Sequence, residues 1–266
     1  MLRIEEVEKH KWVFVYPSKL RQLEDRFFQA ADLWRKGNIN SAQKIYQEII
    51  KKAPEFIDVY DQLAVIYGEK GELRLAYENW LKGYQLGMKV LPQNFAAGQD
   101  LLEWGWLENR AFLRCTYSVA LYFFDRGHLA KGMELFGFII SVNPNDNQGV
   151  RSYLVEGYLK MGNYQAAIDL CGKYEDDVMV ETIYGKSYAL FKLGKKKEAA
   201  TLLRKAIQFR PKVVKELLKK EHKQPKSKFP GAITLGGDDE AYFYWNDNGI
   251  LWEEPEIREW LIKNAK

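Results

Sequence analysis

Residues able to do chemistry are few in this sequence and far apart. His10, His128 and His222 lie in three separate regions, and no G-x-S-x-G nucleophile or phosphate-binding glycine loop is present. Cys115 and Cys171 share no C-x-x-C spacing and have no nearby histidine, so they read as small buried apolar residues. Asp238, Asp239 and Glu240 could suggest a metal, but three acids at a helix start are explained by the helix dipole. The expectation is therefore no catalysis, no cofactor and no metal. One basic stretch stands out: residues 212–228 hold seven lysines against two glutamates. Such charge attracts phosphates, which makes nucleic-acid binding the alternative function. Solvated lysine is the commoner explanation, and the sequence there shows no interleaving of arginine with aromatics.

Composition limits the setting in which these residues act. The chain has 266 residues, 47% hydrophobic, with a formal net charge of +4. That is enough apolar material for a sizeable core and too little charge to advertise a polyanion partner overall. No apolar run approaches the roughly 20 residues of a membrane-spanning helix. The first residues, MLRIEEVEKHK, lack the apolar stretch of a secretory signal. Scarce cysteine with no export signal points to the reducing cytoplasm.

The elements that position the side chains recur. Gly37 and Gly71 are 34 residues apart, Gly127 and Gly162 are 35 apart, and Gly194 follows after 32. Four residues before each glycine stands a large residue, Leu33, Tyr67, Phe123, Tyr158 or Leu190. Five after it comes a small one, Ala42, Ala76, Gly132, Ala167 or Ala199, where two helices must approach closely. Tyr46, Trp80, Phe136, Cys171 and Leu203 follow one helical turn later, and Pro54, Pro144 and Pro211 stop the second helix. Glycine ends the first helix because it takes a left-handed C-terminal conformation without steric cost.

This pattern resembles the tetratricopeptide-repeat (TPR) family over residues 23–211. The resemblance implies an all-α fold, an α-α superhelix or TPR-like solenoid of about five helix-turn-helix repeats. The Gly71–Gly127 spacing of 56 exceeds one period by about 22 residues, which predicts an insertion at about 88–108 carrying Trp104 and Trp106. Those tryptophans either cover a seam between repeats or contact a partner. In NPNDNQGVR at 143–151, Asp146 or Asn147 can cap the next helix. With NRAFLR at 109–114 and the C-terminal tail, this string is similar to a group of bacterial and archaeal TPR proteins, which implies no reaction.

Two flanks fall outside the repeat. Residues 1–22 form an N-terminal segment in which KWVFVYP has strand character but no evident partner, so it is expected to lie extended or to cap the first repeat. Residues 212–266 are expected to form a basic helix, a linker and an aromatic helical cap, its helices starting at Gly237 or Asp238 and at Pro255, the first closed by Gly249.

In TPR proteins the first helix of each repeat lines a concave groove. The resemblance places Phe27, Trp34, Asp61, Arg114, Tyr117, Tyr184 and Tyr188 there as peptide-binding residues, with Arg114 able to pair a partner's carboxylate. Trp104 and Trp106 are possible further contacts. The carboxylate-clamp pattern of chaperone-binding members is missing, since Phe27 and Ala31 stand at the corresponding places. The expected function is a scaffold binding a peptide or helix of a protein partner.

Overall fold

The computed structural model describes residues 1–226 and 232–265. Ser227 and Lys228 of the lysine-rich stretch and Lys266 of the terminal segment lie outside the described residues. The fold class is all-α of the TPR-like α-α superhelical type, and the chain divides into two compact units, Met1–Val150 and Arg151–Lys266.

The first unit opens with a β-hairpin, β1 (Arg3–Glu8) antiparallel to β2 (Lys11–Val15). The strand at KWVFV therefore has a partner. Its upstream neighbour RIEEVE carries no strand signal in sequence, because four of its six residues are charged and leave no apolar alternation; in the structure five of the six are exposed. His10 turns the hairpin at φ 63°, a conformation that glycine or a polar residue usually supplies. After a 3-10 turn at Ser18–Leu20 come three helix pairs: α1 (Arg21–Arg35) with α2 (Ile39–Lys52), α3 (Ile57–Glu69) with α4 (Leu73–Val90), and α5 (Leu107–Phe124) with α6 (Leu129–Val142).

After Val150, where α7 (Val150–Lys160) begins, the second unit continues through α8 (Tyr164–Lys173) and the pair α9 (Val180–Lys192) with α10 (Lys196–Phe209). A short α11 (Pro211–Leu217), then α12 (Asp238–Trp252) and α13 (Pro255–Asn264), complete it. Gly249 lies inside α12, which runs on to Trp252 rather than ending at the glycine.

The five repeat glycines do what their spacing requires. All sit at positive φ, between 73° and 81°. The residue after each donates its backbone N–H to the carbonyl of the large residue four before the glycine, for example Asn38 to Leu33 at 2.8 Å and His128 to Phe123 at 3.0 Å. These bonds satisfy carbonyls that a helix end would otherwise leave open. The small positions are buried without exception. At Gly132 a Cβ would meet the Phe124 Cβ at 3.0 Å and the Ala120 carbonyl at 3.1 Å, so at this place α5 and α6 approach closely enough that an alanine would need its neighbours to give by a few tenths of an ångström.

The 22-residue insertion packs back on the hairpin. Leu101 N–H donates to the His10 carbonyl at 2.8 Å, Trp12 N–H donates to the Leu101 carbonyl at 2.9 Å, and the fully buried Leu102 donates to the Val142 carbonyl at 2.8 Å. Asn109, itself fully buried, secures the arrangement. Its Nδ2 donates to the carbonyls of Trp12 (3.0 Å) and Glu103 (3.2 Å), and its Oδ1 accepts from Phe14 N–H at 3.2 Å. One amide side chain thus satisfies backbone groups of the hairpin and the insertion at once.

In the second unit α12 and α13 cover the last repeat. Trp252 of α12 lies 6.0 Å from Tyr184 and 5.5 Å from Tyr188, ring centre to ring centre, and Trp260 of α13 lies 4.5 Å from Phe191. The exposed apolar end that a repeat array would leave is closed by these aromatics.

A candidate peptide-binding depression

Four of the residues selected from sequence converge in the first unit. Asp61, Arg114, Tyr117 and Trp104 line one surface depression of about 460 Å³, together with Gln62, Val65, Trp80, Ser118, Asn147 and Gln148. Its floor comes from α3 and α5, the first helices of repeats two and three. Its walls come from Trp80 on α4, Trp104 of the insertion, and the loop carrying Asn147 and Gln148.

Two of these walls are held from behind. Trp104 N–H donates to Asn143 Oδ1 at 3.2 Å, and Arg110 Nε donates to the Trp104 carbonyl at 2.9 Å with its guanidinium 5.2 Å from the indole centre. Asp146 caps α7, as expected, accepting from Val150 N–H at 2.8 Å, and Gln148 Nε2 donates to the Leu113 carbonyl at 3.3 Å. Tyr117 packs on Phe136 at 5.8 Å. Trp104 and Tyr117 are therefore held in place before any ligand arrives, which lowers the entropy cost of binding.

The floor carries charge. Arg114 Nε donates to Asp61 Oδ2 at 2.6 Å and its Nη2 to Asp58 Oδ1 at 3.3 Å. Arg114, expected to be able to pair a partner's carboxylate, already spends its Nε and Nη2 on this chain's own Asp61 and Asp58. Burial pushes the Asp58 carboxyl up to about 6, opposed by Arg114 and reinforced by the neighbouring Asp61 charge. Burial raises Asp61 as well, with Arg114, Trp80 and Gln62 drawing it back. Asp61 lines the depression and Asp58 stands behind it, outside the lining; with both ionised, two carboxylates against one guanidinium leave one negative charge in excess near three aromatic rings. Such a surface suits a cationic side chain.

The other sequence-selected residues sit elsewhere. Phe27 packs into the first repeat at 5.5 Å from Tyr46 and 5.4 Å from Phe56. Trp34 is half-buried, its Nε1 donating to Glu69 Oε2 at 2.8 Å. Trp106 precedes α5, 38% exposed and outside the depression. Tyr184 and Tyr188 are 0% and 1% exposed. Their hydroxyls donate to the Arg210 carbonyl (2.9 Å) and to Glu254 (3.2 Å), so these two rings serve the packing of the terminal helices and offer no open face. Their position on a first helix suggested the groove; what covers them lies more than fifty residues downstream, where no repeat spacing reaches. Trp80 and Gln148 were not selected, because Trp80 occupies the repeat's packing position and Gln148 the joint between repeats.

A second depression, about 390 Å³ in the other unit, is lined by residues that include Cys171, Asp177, Thr182, Lys186 and Phe209 and contains none of the selected residues. Asp177 is bound there to Arg151 by two bonds of 2.7 and 3.0 Å.

Comparison with known proteins adds a family and a fold. A family model described as Transcriptional repressor TCF25 matches residues 12–266. That match rests on the whole span and does not bear on the 143–151 string by itself. No curated protein matches the chain. Among solved structures, a TPR protein from Parabacteroides merdae is similar at 15% identity and TM-score 0.53, over 92% of this chain and 81% of that one. YrrB, described as a TPR protein with an unusual peptide-binding site, is similar at 13% identity and TM-score 0.53, over 73% and 93%. MamA protein is similar at 17% identity and TM-score 0.51, over 74% and 96%. At these identities the likeness is one of fold.

Proposed function

Since the chain belongs to the Transcriptional repressor TCF25 family, we propose that it is a non-catalytic scaffold in transcriptional repression, binding a peptide or helix of a protein partner. The depression between α3 and α5 takes a basic side chain of that partner against Trp80, Trp104 and Tyr117, with Asp58 and Asp61 supplying the counter-charge. The observation that carries this reading is the convergence of Asp61, Arg114, Tyr117 and Trp104 from helix, helix and insertion onto one depression. The peptide-binding site in the description of YrrB is in keeping with it. Two buried free thiols, Cys115 and Cys171, suit a reducing compartment such as the cytoplasm.

A random peptide library panned on the full chain tests the proposal. It should return peptides centred on Lys or Arg next to an apolar residue. Their affinity should fall at least tenfold in Trp104→Ala and in Tyr117→Ala, with circular dichroism unchanged. Peptides of no common chemistry, or affinities indifferent to both substitutions, would contradict it.

A further inference from the structure

The lysine-rich stretch acquires in three dimensions what its sequence lacks. Lys212 is paired with Asp238 at 3.1 Å, and Glu216, 4% exposed, holds both Lys219 and, at 3.0 Å, His222. Lys215, Lys220, Lys223 and Lys226 are exposed and form no ion pair among the described residues. Glu221 is the one exposed acid between 217 and 226, so that stretch is itself positive; Lys226 also lines a small depression with Asp238 and Asp239 at the start of α12, which leaves Lys215, Lys220 and Lys223 as the lysines clear of those acids. Beside these lysines lies an aromatic platform. The His222 imidazole stacks flat on the Trp245 indole of α12, 3.5 Å apart and 6° from parallel, and Tyr242 stands 5.5 Å from the same indole. Tyr242 and Trp245 are partly buried, and 14% of the His222 side chain is exposed. Gly249 permits the indole to lie down on the helix, since a Cβ there would come within 2.8 Å of the Trp245 ring.

We propose that Lys215, Lys220, Lys223 and Lys226 with the His222–Trp245–Tyr242 platform bind single-stranded nucleic acid, the lysines holding phosphates and bases stacking on Tyr242 and on the His222 face turned away from Trp245, whose indole backs the platform. Lysine charge alone would serve any polyanion. A planar platform beside it favours a polyanion that carries planar groups. An acidic peptide has the charge without the rings to stack, which makes it the poorer fit. The site is separate from the α3–α5 depression and does not depend on it.

Fluorescence anisotropy of the full chain with labelled single-stranded U20 and dT20 at 50 mM salt tests this, the two oligonucleotides separating RNA from DNA as the source. Binding of at least one is expected, weakening more than tenfold by 200 mM salt, as release of about three to four counterions requires. Lys220→Glu/Lys223→Glu/Lys226→Glu should cost at least tenfold, while the control reversals Lys51→Glu/Lys52→Glu on α2 should cost less than threefold. An abasic oligonucleotide of equal length should bind at least fivefold more weakly. No binding by either oligonucleotide, equal losses from the two sets of reversals, abasic binding as tight as that of U20 or dT20, or polyglutamate binding as tight as either, would each overturn the proposal.

Discussion

Arg114 on α5 reaches Asp61 on α3 at 2.6 Å, joining the first helices of consecutive repeats through a carboxylate whose side chain is only 4% exposed. The guanidinium is itself 35% exposed, so the pair stands at the floor of an open depression rather than deep in a core. Removing the cation leaves two carboxylates in a poorly solvated place. Arg114→Ala should therefore lower stability by roughly 2–3 kcal/mol, less than a fully buried pair would lose. Asp58→Asn/Asp61→Asn in the same background should recover much of that loss in urea melts. A loss below about 0.5 kcal/mol would mean that the pair is solvated.

The raised Asp58 carboxyl gives stability a pH dependence of defined sign. Its folded value of about 6 exceeds the unfolded 3.8, so the folded chain binds the extra proton between them. The contribution is fully present below pH 3.8 and is lost as pH rises through 6. Urea midpoints of the chain and of Asp58→Asn, measured from pH 4 to 7, should diverge in favour of the Asn variant towards pH 7. Asp177 works in the opposite sense. Its hydrogen bonds from Arg151, Thr182 and Met179 N–H outweigh desolvation and depress its pKa, so its contribution is held above 3.8 and lost at lower pH. The two windows therefore separate.

Asn109 is the side chain on which hairpin and insertion both depend. Asn109→Ala leaves buried backbone groups of Trp12, Phe14 and Glu103 without that partner and should cost about 2–4 kcal/mol. Hydrogen exchange should locate the loss in residues 11–15 and 101–109. Uniform loss across the first unit would contradict this local role.

Gly87 sets two effects against each other. Alanine would raise helix propensity in α4 by about 1 kcal/mol. The added Cβ, however, would overlap the ring of Phe112, which is fully buried against Phe14, Tyr84 and Phe138. Overpacking at about 1–3 kcal/mol should win, so Gly87→Ala should be destabilising in thermal melts.

Much of this architecture was legible in the sequence, because the repeat depends on local chemistry. Gly37 and Gly127 announce helix ends, Ala42 and Ala76 announce close approach, and both effects act within a few residues. The hairpin was not legible. Its first strand is too charged to alternate, and the backbone groups that hold it to the insertion, at Leu101, lie some ninety residues away. The depression was half legible. Asp61, Arg114 and Tyr117 could be selected from repeat position and residue type and Trp104 from the break in the spacing, whereas Tyr184 and Tyr188 satisfied the repeat criteria and were covered by Tyr244 and Trp252 from outside the repeat. Periodicity reports which helix a residue is on, and long-range packing decides whether its face stays open.

The central claim is that the α3–α5 depression is where a partner binds. Its most direct test replaces Tyr117 by the photo-crosslinking residue p-benzoylphenylalanine and irradiates the full chain with a peptide recovered by panning. Phe28 on α1, 60% exposed and outside the depression, takes the same replacement as control. A single adduct from position 117, competed by unlabelled peptide and absent from position 28, is the predicted result. No adduct at 117, or equal yields from 117 and 28, would contradict the account.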